Sequence, residues 1–305
     1  GGTVAPSGAF RFESDHALTL GSFATTGHFV VSNAGVALST QLTLGASAAT
    51  LSGDIATNGD FTLMGSADLV LGGYTFAAAA VSATRTNVTL AAQFGLPLFG
   101  SAALTGEAFG DGRFALDGVV STTSVAFANG TLHVDNDGMD LAGTLDVLGN
   151  SVAMSGAVAT NGGWHLAGTT NLTLAGFGAA NTQVTLASSG VVSLEANVSV
   201  LGSSVTLRGD VSGGQFSLSG TTALNLAGYP LASATLTLTN GGMAISGQVD
   251  VLGSGVAMSG SVTAGGAFSL TSAATIALFG RSLTSVSATL TNAGLSLSGH
   301  LDFTV

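Results

Sequence analysis

Residues 214–262 read GQFSLSGTTALNLAGYPLASATLTLTNGGMAISGQVDVLGSGVAMSGSV. The stretch divides into runs of about a dozen residues, each closed by Gly, Asn or Ser. Within a run the apolar residues alternate. Met243, Ile245, Val249 and Val251 share one side, and Ala244, Ser246, Gln248 and Asp250 the other. Phe216, Leu218, Leu224 and Leu226 likewise face away from Ser217, Ser219, Thr221, Ala223 and Asn225. A period of two is the signature of a strand with one buried face. The opposite face is small, neutral and rich in hydroxyls.

The same phrase recurs along the chain. A large aromatic follows a Gly-rich turn at Phe10, Phe61, Phe114, Trp164, Phe216 and Phe268, with gaps of 51, 53, 50, 52 and 52 residues. Two residues on stand Phe12, Leu63, Leu116, Leu166, Leu218 and Leu270. A second aromatic lies 13 residues after the first at Phe23, Tyr74, Phe127, Phe177 and Tyr229, and Arg281 breaks the rule in the last repeat. Turns such as Asn33-Ala34-Gly35, Asp137-Gly138, Gly241-Gly242 and Asn292-Ala293-Gly294 complete the period. Four marks per period predict four strands per repeat and about 23 strands in all. The expected organisation is a lead-in over residues 1–7 and one continuous array over 8–305, its repeats beginning near 8, 59, 112, 162, 214 and 266.

The fold class expected is all-β, an elongated antiparallel β-meander of ~52-residue, four-strand repeats. Asn58-Gly59, Asp111-Gly112, Asn161-Gly162 and Gly213-Gly214 supply short hairpin signals. Parallel strands would need long crossovers, for which the chain has no room. The alternative is a β-solenoid with one repeat per coil, stacking the six aromatics as a ladder. Glycines inside strands, such as Gly156, Gly209, Gly247 and Gly260, predict bulges, bends or close backbone approach. Residues 84–140, with Pro97 and the densest acids, read as the least regular region.

Composition narrows the function classes. Five Arg, no Lys and sixteen acids give a net charge of -11 over 305 residues, which argues against nucleic acid as a partner. With no cysteine, neither disulfides nor thiol chemistry contribute. No run approaches the ~18 apolar residues of a spanning helix. The start, Gly1-Gly2-Thr3-Val4, has neither Met nor a charged signal region and is expected to be a processed or excised segment.

Candidate sites are sparse. Asp135-Asn136-Asp137-Gly138-Met139-Asp140 resembles part of a calcium loop, so Asp135, Asp137 and Asp140 are the metal candidates. The helix-flanked pattern with its distal Glu is absent, and a hairpin turn accounts for the same residues. His16, His28, His133, His165 and His300 share no ligand spacing. Asp15-His16 beside abundant serine carries no information about a triad. No Gly-rich stretch opens a helix, so phosphate cradles are unsupported. The reading is therefore non-enzymatic, with no catalytic residue, cofactor or small-molecule substrate.

The phrase TLTNxGLxLSGxLxxLG…SGxVxxxGxFxLxG, recurring from Gly8 onward, resembles the glycine-rich strand repeats of very large secreted bacterial proteins. That resemblance implies a cell-surface, matrix or fibre setting. The amphipathic strands are also distantly similar to AsmA-type envelope proteins, whose long β-groove carries lipid, although no entry helix or anchor is visible here.

The function expected is a structural extracellular repeat protein, a subunit or segment of a fibre, sheath or surface matrix that self-associates through strand edges. The final stretch, Leu295 to Val305, offers such an edge with no lysine to guard it. Alternatives are a lipid-holding β-groove and an outer-membrane β-barrel. One Trp and two Tyr are too few for the aromatic girdles of the latter. Ice binding, suggested by Thr235, Thr237 and Thr239, lacks a repeated Thr grid.

Overall fold

The computed structural model describes residues 1–122, 124–251, 253–278 and 281–299. Among these it contains 24 strands and no helix, with antiparallel neighbours in one open sheet. In chain order the strands are β1 (Gly2–Val4), β2 (Phe10–Leu20), β3 (Phe23–Ser32), β4 (Gly35–Leu44), β5 (Ser47–Ile55), β6 (Leu63–Leu71), β7 (Tyr74–Ala83) and β8 (Val88–Leu96). There follow β9 (Gly100–Ala108), β10 (Phe114–Thr122), β11 (Phe127–Asp135), β12 (Met139–Val147), β13 (Asn150–Ala157), β14 (His165–Leu174), β15 (Phe177–Ala187) and β16 (Val192–Val200). The last are β17 (Ser203–Ser212), β18 (Gln215–Leu226), β19 (Tyr229–Thr239), β20 (Gly242–Val251), β21 (Ser254–Val262), β22 (Phe268–Leu278), β23 (Arg281–Thr291) and β24 (Gly294–Ser298).

The antiparallel meander is thus the fold, and a solenoid of same-direction coils is excluded. Gly2–Val4, within the expected lead-in, pairs with Phe10–Phe12 as β1. Residues 84–140 run through β8 to β12 as ordinary ladders, with register shifts at Val120/Thr122 and Ala128/Thr131.

Alternation holds where it was read. Met243, Ile245, Val249 and Val251 are buried, as are Phe216, Leu218, Leu224 and Leu226. Some strands, however, switch sides midway. In β7, Tyr74 and Phe76 are buried, then Ala79, Val81 and Ala83. A bulge makes the switch: Ala78 has φ 50, and its amide donates to Asp68 Oδ1 at 2.8 Å. Asn181 repeats the device in β15, with φ 49 and Asn171 Oδ1 as acceptor. One extra residue flips the inward set, and the bulge is required because the core lies on the same face of both halves.

The hairpins are of two kinds. One kind pairs along its whole length, as β16 and β17 do from Val192↔Val211 to Val200↔Ser203. The other pairs over only part, as β17 and β18 do from Arg208↔Ser219 to Ser212↔Gln215. The ladder ends there, and glycine stands where the two backbones come close. A Cβ on Gly209 would lie 1.9 Å from Ser217 O, and one on Gly220 would lie 2.3 Å from Thr206 O. The pairs Gly53/Gly65 and Gly106/Gly118 show the same reciprocal approach to neighbouring carbonyls. These paired glycines therefore mark places where neighbouring backbones come too close for a side chain.

Contacts group the chain into two compact units. The first is Gly1–Asp146 with Ala153–Leu166 and Ser188–Gly190; the second is Val147–Val152 with Ala167–Ala187 and Val191–Val305. Each has its own leucine-rich interior. Leu63, Leu116 and Leu166 are 0% exposed in the first, and Leu218 and Leu270 are 0% exposed in the second.

Candidate functional site: clamped loops and their seats

The tight turns follow the fully paired hairpins. Leu148-Gly149, Ala175-Gly176, Leu201-Gly202 and Ala227-Gly228 each place two consecutive residues at positive φ. That is the backbone of a two-residue hairpin turn matched to strand twist. The Asn58-Gly59, Asp111-Gly112 and Asn161-Gly162 pairs, expected to make such turns, instead lie in wider loops.

Five of these loops share one hydrogen-bond pattern. In 5–9, 56–60, 109–113, 159–163 and 263–267 the first amide donates to the fifth carbonyl, and the fourth amide donates to the first carbonyl. The fourth residue is glycine at φ 82 to 89 in every case. The first large aromatic of each repeat follows directly.

In three of these loops, and at the Gly213-Gly214 turn, an asparagine from the next turn clamps the backbone. Asn33 Oδ1 accepts the Phe10 amide at 2.7 Å, and its Nδ2 donates to Gly8 O at 3.3 Å. Asn136 does the same for Phe114 and Gly112, Asn240 for Phe216 and Gly214, and Asn292 for Phe268 and Gly266. One side-chain amide satisfies a donor and an acceptor that the ladder leaves open, as a peptide group of a neighbouring strand would. Asn33 and Asn292 were legible as turn residues, but their clamping role was not. The signal was present: Asn33 stands 23 residues after Phe10, and Asn292 stands 24 residues after Phe268.

Three loops rest on tight turns that precede them by nearly the same distance. The Gly110 amide donates to Ser22 Oγ at 2.7 Å, 88 residues away. Thr160 Cγ2 lies 3.3 Å from the place a Cβ on Gly73 would occupy, and Ala264 Cβ lies 3.5 Å from that place on Gly176. The first two contacts are within the first unit and the third is within the second. Gly110, Thr160 and Ala264 are each the second residue of their loops. The aromatic beside each seat is buried: Phe23, Tyr74 and Phe177. The Tyr74 hydroxyl also donates to Val158 O at 2.7 Å, and Trp164 Nε1 donates to Pro97 O at 3.2 Å.

The acidic run has a local role. Asp135 Oδ1 accepts the amides of Asp137 at 2.8 Å and Gly138 at 3.2 Å. The Asp137 amide foremost, then that of Gly138 and the His133 imidazole, hold the Asp135 carboxyl below the usual carboxylate range. Asn136 is committed to the clamp. Asp140 lies opposite His133 in the ladder, and its side chain is exposed, as is that of Asp137. Among the described residues no three His, Asp or Glu side chains gather as a metal site, Asp135, Asp137 and Asp140 included.

Three further ion pairs cross between strands on the outer face. His133 Nδ1 meets Asp117 Oδ1 at 2.6 Å, which raises the imidazole pKa above its ordinary value against a smaller cost of burial. His28 meets Asp15 at 2.7 Å. Arg208 holds Glu195 through two bonds, at 2.8 and 3.0 Å. His300 lies outside the described residues. None of these pairs joins a nucleophile to a base in a cleft, the minimum for hydrolytic chemistry. Comparison with family models, curated proteins and solved structures found no match.

Proposed function

We propose that this chain is a non-enzymatic structural protein of the cell surface or extracellular space, a subunit or segment of a fibre, sheath or matrix that associates with its own kind. One observation carries the reading. Of six equivalent core positions, Leu63, Leu116, Leu166, Leu218 and Leu270 are 0% exposed, whereas Phe12 is 47% exposed. The first repeat presents a core residue that no neighbouring layer covers.

Nearby, β1 exposes Val4 at 68%, and the Phe10 and Phe12 rings lie 5.8 Å apart. At the other end β24 pairs with β23 along one edge and leaves Leu297 40% exposed. Free strand edges in natural monomers are guarded by Lys, Pro or bulges. Exposed apolar side chains on β1, β2 and β24 favour association with a further layer of strands.

The outward faces suit such packing. In β18 they are Gln215, Ser217, Ser219, Thr221, Ala223 and Asn225, all small or neutral. An outer-membrane barrel needs the reverse arrangement, apolar outside and polar within. A lipid-holding groove needs an open apolar face, and here leucines fill it. Nucleic acid, calcium and small-molecule substrates have no part in this reading.

Electron microscopy and sedimentation velocity across a concentration series test it. Filaments or larger species growing with concentration are expected; discrete monomers at every concentration would remove the proposal.

A further inference from the structure

Strands β3 and β4 pair only from Gly27↔Thr40 to Ser32↔Gly35. Beyond Gly27 their ladder stops, and the loop 109–113 comes in beside the gap, held by its Gly110 amide on Ser22 Oγ. The Thr25 hydroxyl donates to Gln41 O at 2.9 Å and ties the two strands where they separate. A cavity of about 430 Å³ remains, lined by residues 23–25, 41–45 and 108–114 together with Leu71, all in the first unit. Its size falls within the roughly 300–1,000 Å³ of small-ligand sites.

The lining is mixed. Leu42, Leu44 and Phe114 are buried side chains that give it an apolar wall. Asp111 and Arg113 are its only ionisable residues, and they pair with each other, Arg113 Nε donating to Asp111 Oδ2 at 2.7 Å. Arg113 Cζ also lies 5.4 Å from the centroid of the Phe109 ring. Carboxylate, guanidinium and ring thus form one assembly on one short loop. Opposite them on β4, the Gln41 amide and the Thr43 hydroxyl are exposed and have no hydrogen-bond partner among the described residues.

The fold does not call for this assembly. The five loops of this kind share one backbone pattern. Their first residues are Ala5, Ala56, Phe109, Ala159 and Thr263, and their last are Ala9, Asp60, Arg113, Gly163 and Ala267. Alanine serves at both positions, so neither the ring nor the guanidinium is needed to close the loop. Nor is either needed for seating, since Thr160 and Ala264 reach their turns from loops that lack both. A chain with five Arg and no Lys places one of its few cations here.

We propose that this cleft binds a neutral saccharide, with a sugar ring against Phe109 and its hydroxyls on Asp111, Arg113, Gln41 and Thr43. The balance of groups selects the class. An anion would meet a guanidinium already neutralised by Asp111, and a cation a carboxylate already held by Arg113. A wholly apolar ligand would strand the polar side chains without partners. A sugar hydroxyl both donates and accepts, so neighbouring hydroxyls can reach an Asp111 oxygen and an Arg113 Nη together without separating the pair. The C–H groups of the sugar meet the electron-rich face of the ring. The inference goes beyond self-association and does not rest on it.

Isothermal titration calorimetry on the full chain tests the proposal. The probes are cellobiose, maltose, lactose and N,N′-diacetylchitobiose, with inorganic phosphate and tetramethylammonium as charged counterparts. At least one disaccharide should bind with a Kd on the order of 1 mM, and neither ion should bind as tightly. Phe109→Ala/Arg113→Ala gives the loop the residues that Ala5 and Ala9 supply in loop 5–9, so it should fold as the parent does and lose binding at least tenfold. Asn58→Ala, at the position in loop 56–60 that Asp111 holds in its own loop, should bind as the parent does. Amide NMR on the parent is a second measurement, and shifts on adding the bound sugar should centre on residues 41–43 and 109–113. Absence of binding by every disaccharide, unchanged affinity in the double variant, shifts centred elsewhere, or phosphate or tetramethylammonium binding more tightly than any sugar would each overturn the site. Filament growth by the parent is read separately by microscopy, so either reading can fail alone.

Discussion

Gly209→Ala tests the close backbone approach between β17 and β18. The added Cβ would sit 1.9 Å from Ser217 O, against an ordinary contact of 3.4 Å or more. The obstacle is backbone, so no side-chain rotation relieves it. Strands β17 and β18 must part by about 1.5 Å. Their ladder is short, running from Arg208↔Ser219 to Ser212↔Gln215. Losing two or three of its bonds costs about 1 kcal/mol each. Partly exposing Leu207 and Leu218, both 0% exposed, adds about 1–2 kcal/mol. The sum is about 3–5 kcal/mol, a fall in Tm on the order of 10 °C for a unit of this size. Gly178→Ala is the control, in the same unit and in strand β15. Nothing lies within 4 Å of its Cβ position and its φ is not positive. That substitution should be neutral or stabilise by up to about 1 kcal/mol through reduced unfolded-state freedom. Urea denaturation and thermal melts read both variants. If Gly209→Ala melted with Gly178→Ala, close backbone approach would not be the reason for glycine there.

Two further outcomes follow from the clamps and pairs. Asn240→Ala removes an acceptor for the Phe216 amide and a donor to Gly214 O; a loss of about 1–2 kcal/mol is expected, with faster hydrogen exchange at Phe216, and Asn240→Asp, which keeps the acceptor, should lose about half as much. His133 has a folded pKa raised by Asp117, so its stabilisation is fully present below the unfolded value near 6.5 and disappears as pH rises through the folded value. Both groups are largely exposed, so the effect should stay under about 1 kcal/mol. An NMR titration should place His133 above a free histidine, and Asp117→Asn should abolish the elevation; an unshifted His133 in the parent would refute the assignment.

The acidic run shows what its neighbours add to a motif. Asp135, Asn136 and Asp137 look like oxygen ligands in a row. Asp135 is spent on two turn amides and Asn136 on the Phe114 loop. Asn136 stands 22 residues from Phe114 and Asn240 stands 24 from Phe216. Only a folded hairpin brings such partners together, so the turn expected at this run carries a clamp that its own text does not show.

What the sequence determined by itself was the strand class, the alternating inward set and the order of turns. Those depend on steric period and local turn chemistry, which act between residues near in the chain. It also marked Gly209 and Gly260 as places of close approach, because a missing side chain is visible in one dimension. The side switch at Ala78 was not visible, since a bulge is defined by the strand opposite. Nor was the seating of Gly110 on Ser22 or Thr160 on Gly73: these join residues almost ninety positions apart, and they exist only once the sheet has folded over its apolar face.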